Sequence, residues 1–274
     1  MRASFSFASL AFPAACLLDT PMRLLLLSVA LLLAACSAAP PADPPAREPT
    51  PLELYDQAMA AQNANRGDSA LALLTRAATG GCAPAQHELG LWCYLGINQR
   101  RDAMAAAGWF EKAAIQGVVE SQLMLGQMYL FGSGIAPSAR LALKWFTAAA
   151  NQGNVEAQYR VGLAHDEGIG TPVDTVEAAR WLRKAAEQGH LDAMYHLGVL
   201  IAEDSPASEL SQKEAADWFQ RAAGMGHGPS QLAFGDCFAK GSGRVQDAKQ
   251  AREWFAKAAK SENPKVAAEA KKRM

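Results

Sequence analysis

Apolar and polar positions along this chain follow one order that is written six times. "WFEKAAIQG" begins at Trp109, "WFTAAANQG" at Trp145, "WLRKAAEQG" at Trp181, "WFQRAAGMG" at Trp218 and "WFAKAAKSE" at Trp254, and a weaker copy, "LLTRAATGG", begins at Leu73. The steps between them are 36, 36, 36, 37 and 36 residues. Each unit reads as two antiparallel helices. The first holds a leucine-glycine pair or a close relative: Leu89 and Gly90, Leu125 and Gly126, Val161 and Gly162, Leu197 and Gly198, Phe234 and Gly235. Glycine inside a helix costs about 1 kcal/mol against alanine, so its return at one register predicts a close helix crossing. The alanine pair of the second helix, from Ala77 and Ala78 to Ala258 and Ala259, is expected opposite that glycine, with the Trp or Leu wedged between neighbouring units.

The polar positions of the repeat read as helix ends. Asp102, Ser138, Asp174, Ser211 and Asp247 stand seven residues before the tryptophans, where an accepting side chain satisfies the free amides of a first turn. Glu177, Glu214 and Gln250 follow three positions on and predict capping boxes. Gly81, Gly117, Gly153, Gly189 and Gly226 fall where a helix reverses through a left-handed residue. The recurring acids are therefore caps rather than catalytic groups.

This pattern, clearest in "AQYRVGLAHDEGIGTPVDTVEAARWLRKAAEQG" at 157–189, resembles the Sel-one-like repeats, relatives of the tetratricopeptide repeats. The resemblance covers about 52–260. It implies an all-α, right-handed α-solenoid of antiparallel helix pairs, about six repeats over 52–262, closed by a capping helix over 263–274 that starts at Asn263 and Pro264. Two turns depart from the family pattern: "GINQ" at 96–99 keeps only the first glycine, and "DSPASE" at 204–209 has none, which predicts a looser connection in the fifth repeat.

The first 51 residues have another composition. "MRLLLLSVALLLAAC" from Met22 sets Arg23 before an apolar run, Leu24 to Ala35, and small residues before Cys36. That is the order of an export signal, too short to span a membrane. "LAAC" at 33–36 resembles the lipobox of bacterial lipoproteins, which implies lipidation of Cys36 and attachment to the membrane through that lipid; an ordinary export signal with an incidental cysteine is the other reading. Ser37 after it implies, by the sorting habit of that class, the outer membrane, with the protein facing the periplasm. Residues 1–35 are then an upstream extension and signal, with translation starting at Met22, and the prolines at 40, 41, 44, 45, 49 and 51 predict an extended tether over 36–51.

Charge and motifs exclude more than they suggest. Lys plus Arg is 26 against 27 for Asp plus Glu, which gives no electrostatic case for nucleic acid. No P-loop, Rossmann fingerprint, HExxH, CxxC, SxxK or GxSxG string is present, so no cofactor and no catalytic residue is expected. The histidines, at 87, 165, 190, 196 and 227, lie in different repeats or at turns, and the six-residue spacing of His190 and His196 does not put two ligands on one helical face; no metal is expected. Cys82, Cys93 and Cys237 read as buried thiols, since Cys82 and Cys93 on one helix would stand about 16 Å apart.

By analogy with tetratricopeptide arrays, the first helices line the concave side, and positions three before, one after and four after each glycine share a face. These are His87, Leu91 and Tyr94; Leu123, Gln127 and Leu130; Tyr159, Leu163 and Asp166; Tyr195, Val199 and Ala202. Such a mixture suits an extended or helical peptide segment, although the first of these positions also suits packing between repeats. Trp92, the only tryptophan outside the periodic slot, is the single aromatic candidate for partner contact, with packing against the first repeat as its other reading. Together these features predict a lipid-anchored, non-enzymatic scaffold for an envelope protein or peptide segment. Some cysteine-rich relatives are described as penicillin-binding or β-lactam-hydrolysing, which leaves a cell-wall or β-lactam enzyme as the alternative; an envelope stress or host-interaction factor would differ only in partner. Against the enzyme, no serine here has the lysine partner that chemistry uses, and the cysteine spacing of those relatives is missing.

Overall fold

Thirteen helices and no strand make up the described residues, 47–204 and 208–274, of a computed structural model. They run as six antiparallel pairs: α1 (Pro51–Asn63) with α2 (Gly67–Thr79), α3 (Ala83–Leu95) with α4 (Ala103–Ile115), α5 (Val119–Phe131) with α6 (Ala139–Asn151), α7 (Val155–Glu167) with α8 (Thr175–Glu187), α9 (Leu191–Asp204) with α10 (Glu209–Gly224), and α11 (Gly228–Lys240) with α12 (Ala248–Ala258). A final helix, α13 (Pro264–Arg273), follows. Each helix packs chiefly on its neighbours in sequence, which is the signature of an α-solenoid. We term the first and second members of each pair A and B helices. The expected signal segment, Cys36 and the tether as far as residue 46 lie outside the described residues. The first helix begins at Pro51, one residue earlier than expected, behind a capping box in which Thr50 and Glu53 each accept the other's backbone N–H.

That capping box is not repeated at the B helices. Asp102, Ser138, Asp174 and Asp247 do cap them, each accepting an amide of the first turn. Their own amides, however, already donate to carbonyls of the preceding A helix, at Cys93, Tyr129, His165 and Phe238. No donor is left for a reciprocal Glu or Gln, so Glu177 turns outward instead and accepts from Trp181 Nε1 at 2.7 Å and from Arg180. In the fifth unit the cap is Ser208 rather than Ser211, and α10 starts earlier; Glu214 then lies inside the helix, 2.7 Å from Arg183. The five glycines expected at helix reversals all have φ between 87° and 95°.

The helix crossing is close, but its partner is not the alanine pair. A Cβ built on Gly126 would stand 2.6 Å from the Phe146 ring, and the same ring register meets Gly90, Gly198 and Gly235 through Phe110, Phe219 and Phe255, with Leu182 against Gly162. The residue after each tryptophan therefore fills the space the glycine leaves. The alanine pair is freed to face the next unit: Ala149 and Ala150 pack with Ala157 and Val161, and Ala185 and Ala186 with Ala193 and Leu197. Alanine is short enough to admit that second helix. The tryptophans do fill the wedge between units, as Trp181 does beside Phe146 and Ala149. Cations lie over their rings, Lys184 at 4.0 Å from the Trp181 centroid and Lys257 at 3.6 Å from that of Trp254, so the most site-like string of the repeat is scaffold.

Buried amides link one unit to the next. Gln122 Nε2 donates to the Ala114 carbonyl at 3.0 Å, and its Oε1 accepts from Gln152 at 2.8 Å; Gln86 and Gln158 do the same with Ala78 and Gln116, and with Ala150 and Gln188. In the fifth unit both glutamine registers change together, to Met194 and Met225. A second exchange occurs where an A–B loop touches the preceding unit. Gly134 lies so close to Ala103 that a Cβ would sit 2.5 Å from its carbonyl carbon. At the equivalent contact one unit earlier the glycine is Gly67, on the other side, and Asn98 takes the left-handed loop position with φ 55°.

Two glycine substitutions separate packing from helix propensity. Gly126→Ala should lower stability by about 1–3 kcal/mol, because the new methyl overlaps a buried ring. Gly108→Ala, in α4 with nothing within 4 Å of the added methyl, should raise stability by up to about 1 kcal/mol. Urea unfolding of both variants reads the difference; equal shifts of one sign would refute the proposed crossing.

Candidate binding surface on the A helices

Helical geometry decides which side of an A helix is available. Relative to its glycine, positions −5, −4, −1, 0 and +2 are buried in α3, α5 and α7. At 100° per residue the remaining sector centres on +1, with −3 and +4 on one flank and −2 and +5 on the other. The sequence-derived face covered the first flank and the centre, and the structure divides it.

Position −3 turns toward the next unit. His87 Nδ1 lies 2.8 Å from Ser121 Oγ, and its ring packs near Phe110. Tyr159 stacks on His190 with centroids 4.5 Å apart, and Tyr195 meets His196, His227 and Phe219 within 6.0 Å. Leu123 packs against the apolar cluster that holds Phe146, Ala149, Val161 and Trp181. These residues hold adjacent A helices together. Burial pushes the Tyr159 hydroxyl up to about 12, helped by Asp192 and Glu156 and opposed by Arg160. Trp92 is not available for partner contact and takes its packing role instead: it is 2% exposed, shares a core cluster with Leu54, Ala58 and Leu74 of the first unit, and donates from Nε1 to Glu88 at 2.7 Å.

Positions +1 and +4 do reach a surface. Leu130 of α5 and Leu163 of α7 line one groove with Leu143, Phe146, Arg160 and Glu167. Val199 and Ala202 of α9, two units on from α5, line another with Phe219, Glu203, Asp236 and Lys240, and there Tyr195 at −3 reaches the groove as well. Leu91, Tyr94, Gln127 and Asp166 occupy equivalent half-buried positions on α3, α5 and α7 without lining either groove; Tyr94 lies under Arg101 at 5.3 Å. Sequence reasoning missed the other flank, Arg160 at −2 and Glu167 and Glu203 at +5, which the 100° rule alone would have found. Arg160 Nε is 2.7 Å from Glu156 Oε1 as an ion pair outside hydrogen-bonding geometry.

Nothing in this surface is arranged as a nucleophile. Cys93 and Cys237 are buried free thiols, whereas Cys82, also free, is only half-buried rather than buried as expected; burial pushes Cys93 up against a hydrogen bond from Gln99, and pushes Cys237 up to about 11, the direction opposite to an activated thiolate. Among the described residues no group of three or more His, Cys, Asp or Glu is placed to hold a metal ion.

The histidines give the surface a pH dependence. Burial holds His87 and His227 below the ordinary imidazole range; Glu120 and Glu88 oppose it at His87, and Asp192 opposes it at His227, where His196 and His190 add to the lowering. Unfolded, each takes up a proton below about pH 6.5. The unfolded chain then binds more protons than the folded one, so stability falls as pH drops from 6.5. Urea unfolding at pH 7.5 and 5.5 should show that loss, and His227→Gln should reduce it; an unchanged slope in the variant would remove His227 from the account.

The sequence model of the Sel1 repeat matches residues 83–118, 119–154, 155–190, 191–227 and 229–263. Among solved structures, the Sel1 repeat protein from Oxalobacter formigenes is similar at 30% identity and a TM-score of 0.65, over 78% of this chain and 84% of that one. The protein c5321, a protective antigen present in uropathogenic Escherichia coli strains that displays an SLR fold, is 29% identical with a TM-score of 0.69. That alignment takes in 87% of this chain and 49% of the antigen, so the chain spans about half of it. No curated protein matches the chain.

Proposed function

The chain belongs to the Sel1 repeat family, and on that premise we propose that it is a lipid-anchored, non-enzymatic scaffold that holds an envelope protein or peptide segment against its A helices, on the periplasmic side of the outer membrane. The observation that carries the scaffold reading is the repeated groove. Leu163 and Val199 stand at one register of successive A helices, each beside apolar side chains and flanked by charge. A row of such positions suits a segment longer than a small molecule. The anchor rests on "LAAC" at 33–36 and the proline-rich stretch behind it. The raised thiols weigh against cysteine-based β-lactam chemistry.

In cells, a photoreactive residue at Leu163 or Val199 should capture one discrete envelope protein, whereas one at Glu187 on a B helix should not. Equal capture at all three positions would refute the groove. Cys36→Ala should move the protein from the membrane to the soluble periplasmic fraction; retention on membranes through a high-salt wash would refute the anchor.

A further inference from the structure

The near-neutral chain is strongly divided between its two helix layers. The six A helices hold eleven Asp and Glu against two bases, Arg160 and Lys240, whereas the six B helices hold eight acids against twelve bases. Of the A-layer bases, Arg160 is already paired with Glu156. On the groove side the acids are not matched. Glu167 and Glu203 occupy position +5 on adjacent A helices, each at the rim of a groove, and both are exposed. No cation among the described residues pairs with either of them. The same register holds Leu95 and Phe131 in the two preceding units, 63% and 72% exposed. One row thus runs from apolar to acidic over four successive units before it ends on Lys240 of α11.

The chain contains its own example of what this layer accepts. α13 lies beside α11 and α12, and its charges are Lys265, Lys271, Lys272 and Arg273 with one acid, Glu269. Arg273 reaches across to Asp236, which stands at position +1 of α11 and lines the second groove. A cationic helix is therefore seated against an A-layer carboxylate at the register where Leu163 and Val199 stand in earlier units.

Resting on the scaffold reading above, we propose that the partner segment is cationic and amphipathic, with apolar side chains entering the grooves at Leu163 and Val199 and Lys or Arg side chains set against Glu167 and Glu203. Desolvated only at the rim, such pairs steer and discriminate more than they bind, so removing them should weaken the complex without abolishing every contact.

The probes are two synthetic peptides of one amphipathic pattern, one of leucine and lysine and the other of leucine and glutamate, titrated against the purified protein by fluorescence anisotropy. The lysine peptide should bind, more weakly as salt rises, and the glutamate peptide should not. Glu167→Lys with Glu203→Lys should weaken lysine-peptide binding by about tenfold, from the usual size of exposed charge pairs, and Glu167→Gln with Glu203→Gln by less. Lys184→Glu with Arg221→Glu, on the B layer, should leave it within about twofold. Equal binding of both peptides, or indifference to the Glu167 and Glu203 changes, overturns the proposal; if Leu163 still captures a discrete protein in cells, the scaffold reading survives that loss. Concentration-dependent self-association abolished by the same substitutions would also overturn it, by making the occupant a second copy that presents its basic B layer.

Discussion

Everything in this solenoid depends on how closely each A helix approaches its B helix, and that distance is set by a ring resting on a bare backbone. Phe146 occupies the space a Cβ on Gly126 would need. With the ring committed there, the tryptophan beside it turns outward to the unit boundary, and the alanines three and four residues beyond the ring come round to face the next A helix. One contact thus orients three surfaces of the B helix. Leu182 against Gly162 shows that the site asks for apolar bulk at that height rather than for aromaticity.

Polar groups then fix the register between units. The amide at each cap of α4, α6, α8 and α12 is held by its own A helix, and the buried glutamines span from one B helix end to the following A helix and on to its partner. A buried amide left half-bonded would cost about 1–3 kcal/mol, which accounts for the joint change to Met194 and Met225; at half-buried Gln231, which still donates to Ala223, the second position is Ser261 instead. The Gly67 and Asn98 exchange follows the same logic in steric form: the loop contact tolerates one side chain, on either side.

Reading the sequence recovered the period, the helix pairs, the wedge role of the tryptophans and most caps, because those are local and repeat with the same residue types. It failed where a residue had two candidate neighbours. The alanine pair and the phenylalanine are both small-to-large complements of a glycine, and spacing alone does not say which one faces it. Glu177 matched a capping box until the competing His165 carbonyl, an inter-helix acceptor, was placed. Trp92 looked exceptional because it stood outside the period, yet its burial follows from position +2, which α5 and α7 fill with Met128 and Ala164. The groove was half legible: analogy supplied Leu163 and Val199, while the rim acids at +5 lie on the second flank of the same face, which the 100° helical period places but the analogy left out.

Repetition also separates what the scaffold needs from what it is free to vary. At positions −4, −1 and 0 the five glycine-bearing A helices, α3 to α11, carry nearly the same residues, since each is enclosed by the same neighbours. At +1 they carry Leu91, Gln127, Leu163, Val199 and Asp236, and at +5 they carry Leu95, Phe131, Glu167, Glu203 and Lys240. The fold exerts no common demand on those two rows. Their differences are therefore the part of the sequence that packing does not explain, and the solenoid aligns them along one side, where a single long segment could meet them in order. A formal charge of −1 for the whole chain conceals this arrangement, because the excess acid of the A layer is offset in composition by the bases of the B layer, of α13 and of the connecting segments while remaining apart from them in space.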